Sequence, residues 1–111
     1  MGISEEKIKV EYGMNTTLVT LEYDKILEEQ QINSLHTAII PVIDKNAEGK
    51  LILNFSNVQF MSSSLLGLLV RIHKRVCEHG GHLKLLNVNA NIYKVFEITR
   101  LIKIFDIVPA S

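Results

Sequence analysis

Three consecutive serines, Ser62, Ser63 and Ser64, are the most reactive group of side chains in this 111-residue sequence. They lie between a predicted buried strand, residues 51–55, and apolar residues that recur at helical spacing from Leu65 onward. The first turn of a helix has unpaired backbone N–H groups and the positive end of the helix dipole. A hydroxyl at this point could accept a phosphoryl group, and the added phosphate would be stabilised. The simpler alternative is that the serines only cap the helix.

Four residues of the carboxyl-terminal half have side chains that can bind metals: His73, Cys77, His79 and His82. His73 and Cys77 are one helical turn apart, a spacing that places two ligands on one face of a helix. His79 falls toward another face, and His82 follows the glycine pair that ends the helix. No second cysteine or paired carboxylate completes a ligand shell. We therefore predict no metal and no other cofactor, and we expect Cys77 to be a partly buried packing residue.

A serine–histidine pair could support nucleophilic catalysis, with Ser63 as the nucleophile and His36 or His73 as the base. Nothing in the sequence selects a third residue to orient that base. The glycine–x–serine–x–glycine turn that exposes a nucleophilic serine in many hydrolases is also missing. We therefore predict no catalytic residues and no enzymatic activity.

A basic stripe on the second predicted helix consists of Arg71, Lys74 and Arg75, with Arg100 and Lys103 further along the chain. Such a stripe is usually a solvated helix face, and it could also attract an acidic partner. Twelve basic and twelve acidic residues cancel, and the basic residues are not interleaved with aromatic ones that could stack on bases. The sequence therefore does not favour a nucleic acid as the partner.

The composition indicates one domain over residues 1–111, because 47% of the residues are apolar and a chain of this length can bury a core of its own. The single cysteine cannot form an internal disulfide, which fits a cytoplasmic setting. The amino terminus lacks the apolar run of a signal peptide, and no stretch approaches the roughly 18 apolar residues of a membrane span. We expect no association with a membrane.

Two strands and a helix are predicted in the amino-terminal half. Polar and apolar residues alternate over residues 7–12 and resume over residues 16–22, which predicts a hairpin with residues 13–15 as its loop. Apolar residues at helical spacing then predict a helix over residues 29–47. Pro41 falls inside this helix, so we expect a kink there.

The carboxyl-terminal half alternates strands and helices. The near-continuous apolar run 51–55 predicts a strand covered on both faces, and a helix from Ser63 follows it. Residues 82–88 predict another strand, Asn89 an N-cap for a third helix, and residues 104–108 a short edge strand. This order indicates an α/β fold, with a single mixed sheet of four to five strands and helices packed against it. Right-handed crossovers would bring the serines to the rim at the carboxyl ends of the strands.

Residues 54–67, Asn-Phe-Ser-Asn-Val-Gln-Phe-Met-Ser-Ser-Ser-Leu-Leu-Gly, resemble the signature of STAS domains, the fold of bacterial anti-sigma factor antagonists. That signature has Asp-hydrophobic-Ser, a short turn, and then hydrophobic-Asp-Ser-Ser/Thr-Gly-Leu-Gly before a helix. The resemblance continues in residues 80–85 and 95–101. It covers the chain well from about Lys50 to Phe105.

In that family, the first serine of the Asp-Ser-Ser/Thr stretch is phosphorylated by a partner that is both a kinase and an anti-sigma factor. The unphosphorylated antagonist binds this partner, the phosphorylated form is released, and a phosphatase resets the system. The resemblance implies phosphorylation at Ser63 and a kinase-type anti-sigma factor and a phosphatase as partners of a monomer or weak dimer. The residues expected to contact the partner surround Ser63 in the sequence: Met61, Ser62, Ser64, Leu65 and Leu66.

Three residues depart from the family signature. Ser62 stands at the position of the family's aspartate before the acceptor, and Asn54 replaces the aspartate of the strand. Leu65 replaces a glycine, and we expect it to be an apolar knob that blocks a close backbone approach. These departures leave an alternative open, in which the chain is an unphosphorylated scaffold or interaction module of a larger signalling assembly.

Overall fold

The computed structural model describes residues 8–46 and 48–110. Within them the chain alternates strands with helices, and two of the strands have only two residues. In chain order the elements are β1 (Ile8–Tyr12), β2 (Thr16–Leu21), β3 (Lys25–Ile26), α1 (Glu29–Asn46), β4 (Lys50–Asn54), β5 (Phe60–Met61), α2 (Ser64–Glu78), β6 (His82–Val88), α3 (Ala90–Ile98), a 3-10 turn (Leu101–Lys103) and β7 (Asp106–Pro109).

A five-stranded mixed sheet with the order β1-β2-β4-β6-β7 forms the centre of the fold. The predicted hairpin is confirmed, because β1 pairs antiparallel with β2 and the Gly13 N–H donates to the Thr16 carbonyl at 2.7 Å across the turn. The pairs β2–β4, β4–β6 and β6–β7 are parallel, and β7 lies at the edge. The predicted mixed α/β sheet is therefore confirmed.

The helices cover one face of this sheet. Alternate strand side chains and the apolar faces of all three helices belong to one cluster of buried residues, which includes Leu51 and Leu53 of β4. On the other face Ile52 and Asn54 remain partly exposed, so the expectation that β4 is covered on both faces is wrong. An apolar residue at Ile52 does not require a second helical layer, because its neighbours across the sheet, Leu18 and Lys84, cover part of it.

The helices follow the predicted periodicity closely. The buried residues of α1 are the ones that the spacing selected: Ile32, Leu35, Ile39, Val42 and Ile43. The helix continues without interruption through Pro41, which is exposed, and a kink there stays a prediction. The predicted final residue, Ala47, and the predicted first strand residue, Lys7, lie outside the described residues.

The predicted end of α2 is confirmed in detail. Gly80 has a positive φ of 81°, the left-handed conformation in which a glycine avoids steric strain. The Gly81 N–H donates to the Val76 carbonyl at 2.9 Å, the bond that closes a Schellman motif. This stop sends the chain directly into β6.

The short strands β3 and β5 pair in parallel as a separate two-stranded sheet, with Lys25 opposite Phe60 and Ile26 opposite Met61. Two residues are too few to show an alternating pattern, so the sequence did not predict these strands. Their position matters for function, because β5 ends at Met61, directly before the three serines.

Candidate functional site

The serines lie where β5 passes into α2, and backbone hydrogen bonds hold this passage. The Ser62 N–H donates to the Ile26 carbonyl at 3.0 Å and extends the pairing of the small sheet by one bond. The Leu65 and Leu66 N–H groups donate to the carbonyls of Ser62 and Ser63 at 3.1 and 3.0 Å. Two of the backbone N–H groups that we expected to be available to a phosphate, those of Leu65 and Leu66, are therefore already hydrogen-bonded within the first turn. The helix dipole still favours negative charge there.

The three hydroxyls differ in their access to solvent. Ser63 and Ser64 are exposed, whereas Ser62 is partly buried. The Ser62 Oγ is shielded from solvent, and no partner for it exists among the described residues. Ser63 and Ser64 are therefore accessible from solvent, whereas the Ser62 hydroxyl is not.

The capping alternative receives no support at Ser63. Ser63 occupies the N-cap position of α2, but its φ of −65° and ψ of −20° are helical rather than extended, and its hydroxyl makes no capping hydrogen bond. In contrast, Asn89 caps α3 as predicted, with its Oδ1 accepting from the Ile92 N–H at 2.9 Å. The hydroxyl of Ser63 is therefore not engaged in stabilising its helix.

Two of the residues expected to contact a partner are in the core. Leu65 is 0% exposed and Leu66 is 5% exposed, so the expectation that Leu65 forms an apolar knob at the surface is wrong, and Leu66 is equally inaccessible. The physical reason is the helical phase, because Leu65 continues the buried face of Leu68, Leu69 and Ile72. The accessible residues of this region are Met61, which is partly buried, and the serines Ser63 and Ser64. We call these three residues the serine rim.

Four asparagines fix the loop that leads to the serine rim, and the sequence analysis did not single them out as a group. The Asn54 Oδ1 accepts from the Ser56 N–H at 3.1 Å and from the Asn87 Nδ2 at 3.0 Å. The Asn57 Nδ2 donates to the Leu21 carbonyl at 3.3 Å. These bonds join the carboxyl ends of β2, β4 and β6.

Asn89 completes the set from the other side. Its Nδ2 donates to the carbonyls of Val58 and Gln59 at 3.1 and 3.2 Å, while its Oδ1 caps α3. One side chain therefore holds both the loop before β5 and the start of α3. Asparagines at or just after the ends of β4 and β6 were the available sequence signal, since amides supply both a donor and an acceptor.

The site is electrically neutral along the chain. Between Lys50 and Arg71 the sequence has no ionisable side chain, and this interval contains β4 apart from its first residue, β5, all three serines and the first half of α2. A phosphate on a serine would be the first charge in the interval. In space, however, Lys25 of β3 lies opposite Phe60, with its Nζ 6.0 Å from the centre of the Phe60 ring.

The side chains considered as metal ligands make separate contacts. Among the described residues no group of three or more His, Cys, Asp or Glu side chains could hold a metal ion. His79 Nε2 lies 3.0 Å from Asp44 and His82 Nε2 lies 2.9 Å from Asp106. His73 lies 3.7 Å from the Cys77 Sγ. Cys77 is exposed, so the expectation that it is a partly buried packing residue is wrong.

The two carboxyl groups whose pKa is lowered form hydrogen bonds between helices or strands, and neither lies in the serine rim. Arg75 binds Asp44 through two hydrogen bonds of 3.0 and 2.9 Å, and together with the bond from His79 this lowers the pKa of Asp44 to about 2. The hydrogen bond from His82 likewise lowers the pKa of Asp106. The first link joins α1 to α2, and the second joins β6 to β7.

A cavity in the described part of the chain lies away from the serine rim. It has a volume of about 670 Å³ between β1 and α1, and its walls include Val10, Tyr23 and Thr37 but no serine of the rim. Among the described helices, no segment combines the length and the hydropathy needed to cross a bilayer.

Comparison with known proteins agrees with this geometry. The family model described as "STAS domain" matches residues 10–111. The chain belongs to the STAS domain family. The resemblance found in residues 54–67 is thereby confirmed, and so is the STAS-like fold.

The relatives of this STAS domain include anti-sigma factor antagonists. The anti-sigma-B factor antagonist of Bacillus subtilis (strain 168) is 34% identical over 77 residues, which are 69% of this chain and 69% of that protein. A solved STAS domain protein from Planctomyces limnophilus has a TM-score of 0.83 at 20% identity, with 94% of this chain and 91% of that one covered. The Bacillus cell fate determinant SpoIIAA, solved in its phosphorylated form, has a TM-score of 0.68 at 22% identity, covering 94% and 91%.

Proposed function

We propose that this STAS domain is a cytoplasmic anti-sigma factor antagonist, which binds a kinase-type anti-sigma factor and is released when Ser63 is phosphorylated. The observation that carries the proposal is the state of the Ser63 hydroxyl, which is exposed and makes no capping bond at the start of a 15-residue helix. Membership of the STAS family and the 34% identity to an anti-sigma-B factor antagonist support the same role.

The chemistry requires only one hydroxyl from this chain. The Ser63 Oγ attacks the γ-phosphorus of ATP held by the kinase, so a new O–P bond forms and the bond to the bridging oxygen of ADP breaks. The hydroxyl proton passes to a base of the kinase, and ADP leaves. A phosphatase later directs water at the same phosphorus and restores the hydroxyl. Apart from supplying the acceptor hydroxyl, this chain only has to hold the loop before α2 in a fixed conformation.

The fold should tolerate the phosphate with little change. A phosphoserine carries roughly −1.5 to −2 charges, and the helix N-terminus stabilises such charge by about 0.3–2 kcal/mol. A partner surface that fits a neutral serine would lose that fit through repulsion and desolvation. The switch therefore acts at the interface and not through unfolding.

The first test is the phosphorylation state in the cells that produce the protein. Trypsin should release residues 51–71 as one peptide, because Lys50 and Arg71 are the nearest cleavage sites on either side. Fragment masses then assign a phosphate to one serine. We expect it on Ser63, absent in Ser63→Ala and retained in the matched control Ser64→Ala. A phosphate on Ser62 or Ser64 would contradict the assignment to Ser63.

The second test is binding to the purified anti-sigma factors of the same organism by titration calorimetry. We expect the unphosphorylated chain to bind one of them, and Ser63→Glu to bind at least about tenfold more weakly, a loss of about 1.4 kcal/mol. Ser64→Glu is the matched control. If wild type and Ser63→Glu bind equally well, the switch is refuted.

One observation favours the scaffold alternative. The bonds from Leu65 and Leu66 within the first turn leave fewer free N–H groups for a phosphate than an open helix start would have. A chain that is never phosphorylated, yet binds a partner equally well with Ser63→Ala and Ser63→Glu, would be an unphosphorylated interaction module.

A further inference from the structure

The cavity between β1 and α1 has no part in the phosphorylation switch. It is an open groove of about 670 Å³, within the roughly 300–1,000 Å³ of typical sites for small molecules. Ile8 and Val10 lie on its strand side, and Asn33, Ser34 and Thr37 lie on its helix side. We call it the β1–α1 groove. Its two walls differ in chemistry, and each limits what could bind there.

The strand wall of the groove is apolar. Ile8 and Val10 of β1 are paired with Leu21 and Val19 of β2, which are buried under the helices. Side chains of directly paired residues lie on the same face of a sheet, so Ile8 and Val10 also face the helices. Both are nevertheless only partly buried. The part of them that remains in water would be covered by an apolar ligand, which favours binding.

The helix wall is polar but uncharged. Asn33, Ser34 and Thr37 are three or four residues apart, share one face of α1 and are exposed. None of the described residues that line the groove carries a charge at neutral pH. A cation lies close by, since the Lys45 Nζ is 4.5 Å from the centre of the Tyr12 ring, but the face of that ring already engages it. A charged ligand would therefore lose hydration without gaining a partner in the groove.

Tyr23 is an independent observation that points to a ligand. It lines the groove, and only 7% of it is exposed. In the described part of the chain its hydroxyl makes no hydrogen bond, and burial alone raises the pKa of this phenol. A tyrosine hydroxyl at a buried position usually has a hydrogen-bond partner. A polar group of a ligand in the groove would supply one.

We propose that the β1–α1 groove binds a neutral, mainly apolar small molecule, with its apolar body against Ile8 and Val10 and a hydrogen-bonding group on the Tyr23 hydroxyl. The class is that of uncharged ring compounds with few polar groups. This site goes beyond the proposed function, because it shares no residue with the serine rim. Since β1 is an edge strand, a ligand that bridges it to α1 would stabilise the folded chain by mass action.

The test titrates the full chain with two fluorescent probes that differ by one charged group. N-phenyl-1-naphthylamine is neutral and joins two aromatic ring systems through an N–H, and 8-anilino-1-naphthalenesulfonate is the same molecule with an added sulfonate. We expect saturable binding of the neutral probe and at least about tenfold weaker binding of the sulfonate. The melting temperature should rise with the concentration of the neutral probe. Equal affinity for the two probes would overturn the inference.

Three variants locate the probe. Thr37→Trp fills the groove from an exposed position of its helix wall, so the chain should fold normally but bind the neutral probe at least about tenfold more weakly. Asn91→Trp, at an exposed position of α3, is the matched control for added bulk and should bind as wild type does. Tyr23→Phe should bind about two- to tenfold more weakly, while the melting temperature of the free protein does not fall. A purely structural hydroxyl would show the reverse pattern.

The remaining outcomes each decide the matter. Failure of the neutral probe to bind wild type, or normal binding by Thr37→Trp, would overturn the inference. Sedimentation tests a second copy of the chain as the occupant: self-association that rises with protein concentration and is abolished by Thr37→Trp would also overturn it. Ser63→Glu should bind the neutral probe as wild type does, so the result is independent of the phosphorylation switch.

Discussion

Ser62→Ala should make the protein more stable, which is an unusual expectation for a partly buried position within a candidate site. The Ser62 Oγ is shielded from solvent and has no hydrogen-bond partner among the described residues. An unsatisfied buried hydroxyl costs about 1–3 kcal/mol. Removing one oxygen loses a few dispersion contacts of about 0.1–0.2 kcal/mol each. The net gain in the free energy of unfolding is therefore about 0.5–2 kcal/mol.

Urea unfolding followed by circular dichroism measures this gain, and the melting temperature should rise by about 2–8 °C. Ser64→Ala is the matched control, because Ser64 is exposed and its substitution should stay within about 0.5 kcal/mol of wild type. The tryptic peptide of Ser62→Ala from cells should still carry its phosphate. A loss of stability above about 0.5 kcal/mol would show that the hydroxyl has a partner, and the reasoning about its burial would be refuted.

Three further predictions test the framework of the site. Asn89→Ala should lower the free energy of unfolding by about 2–4 kcal/mol, since it removes the cap of α3 and two hydrogen bonds to the loop before β5. Asn89→Asp keeps the cap, so its loss of stability, measured by urea unfolding, should be smaller than that of Asn89→Ala. The folded-state pKa of Asp44, about 2, is below its usual 3.8, so its link to Arg75 stabilises the fold above about pH 4 and this contribution is lost as the pH falls toward 2. Asp44→Asn should therefore be less stable than wild type near neutral pH, and equal stability of the two at both ends of a pH series of melts would contradict the link. Leu65→Ala should lower the free energy of unfolding by about 2–5 kcal/mol, because Leu65 is fully buried. Met61→Ala should change the free energy of unfolding little and should weaken partner binding in calorimetry. A much smaller loss of stability in Leu65→Ala would mean that Leu65 does not lie on the buried face of α2.

The longer helices and strands could be predicted from the sequence, because apolar residues recur in each of them at the spacing typical of that type of element. The spacing in α1 selected all five of its buried residues, and the alternation in β1 and β2 predicted the hairpin. The strands β3 and β5 could not be predicted in this way. They exist because β3 and β5 lie side by side in the folded chain, and two residues carry no period of their own.

The candidate site shows the same division. The sequence placed three serines at a helix start, and the family signature singled out Ser63 among them. Their unequal exposure is a property of the tertiary structure, in which the Ser62 N–H pairs with the Ile26 carbonyl and the Ser62 Oγ is shielded from solvent. The expectation that Leu65 is exposed was wrong, and the sequence alone could have shown this, since Leu65 is in phase with the apolar face of α2.

The sequence by itself determined the order of the helices and strands, the caps at Asn89 and Gly80, and the family. These features depend on contacts within a few residues, so local periodicity and turn chemistry are sufficient to specify them. The tertiary structure decided which face of β4 is covered, which serine is accessible, and which cations remain unpaired. Those properties depend on contacts between distant segments, such as the bond from Asn57 to the Leu21 carbonyl and the pair of Arg75 with Asp44, and no local pattern encodes them.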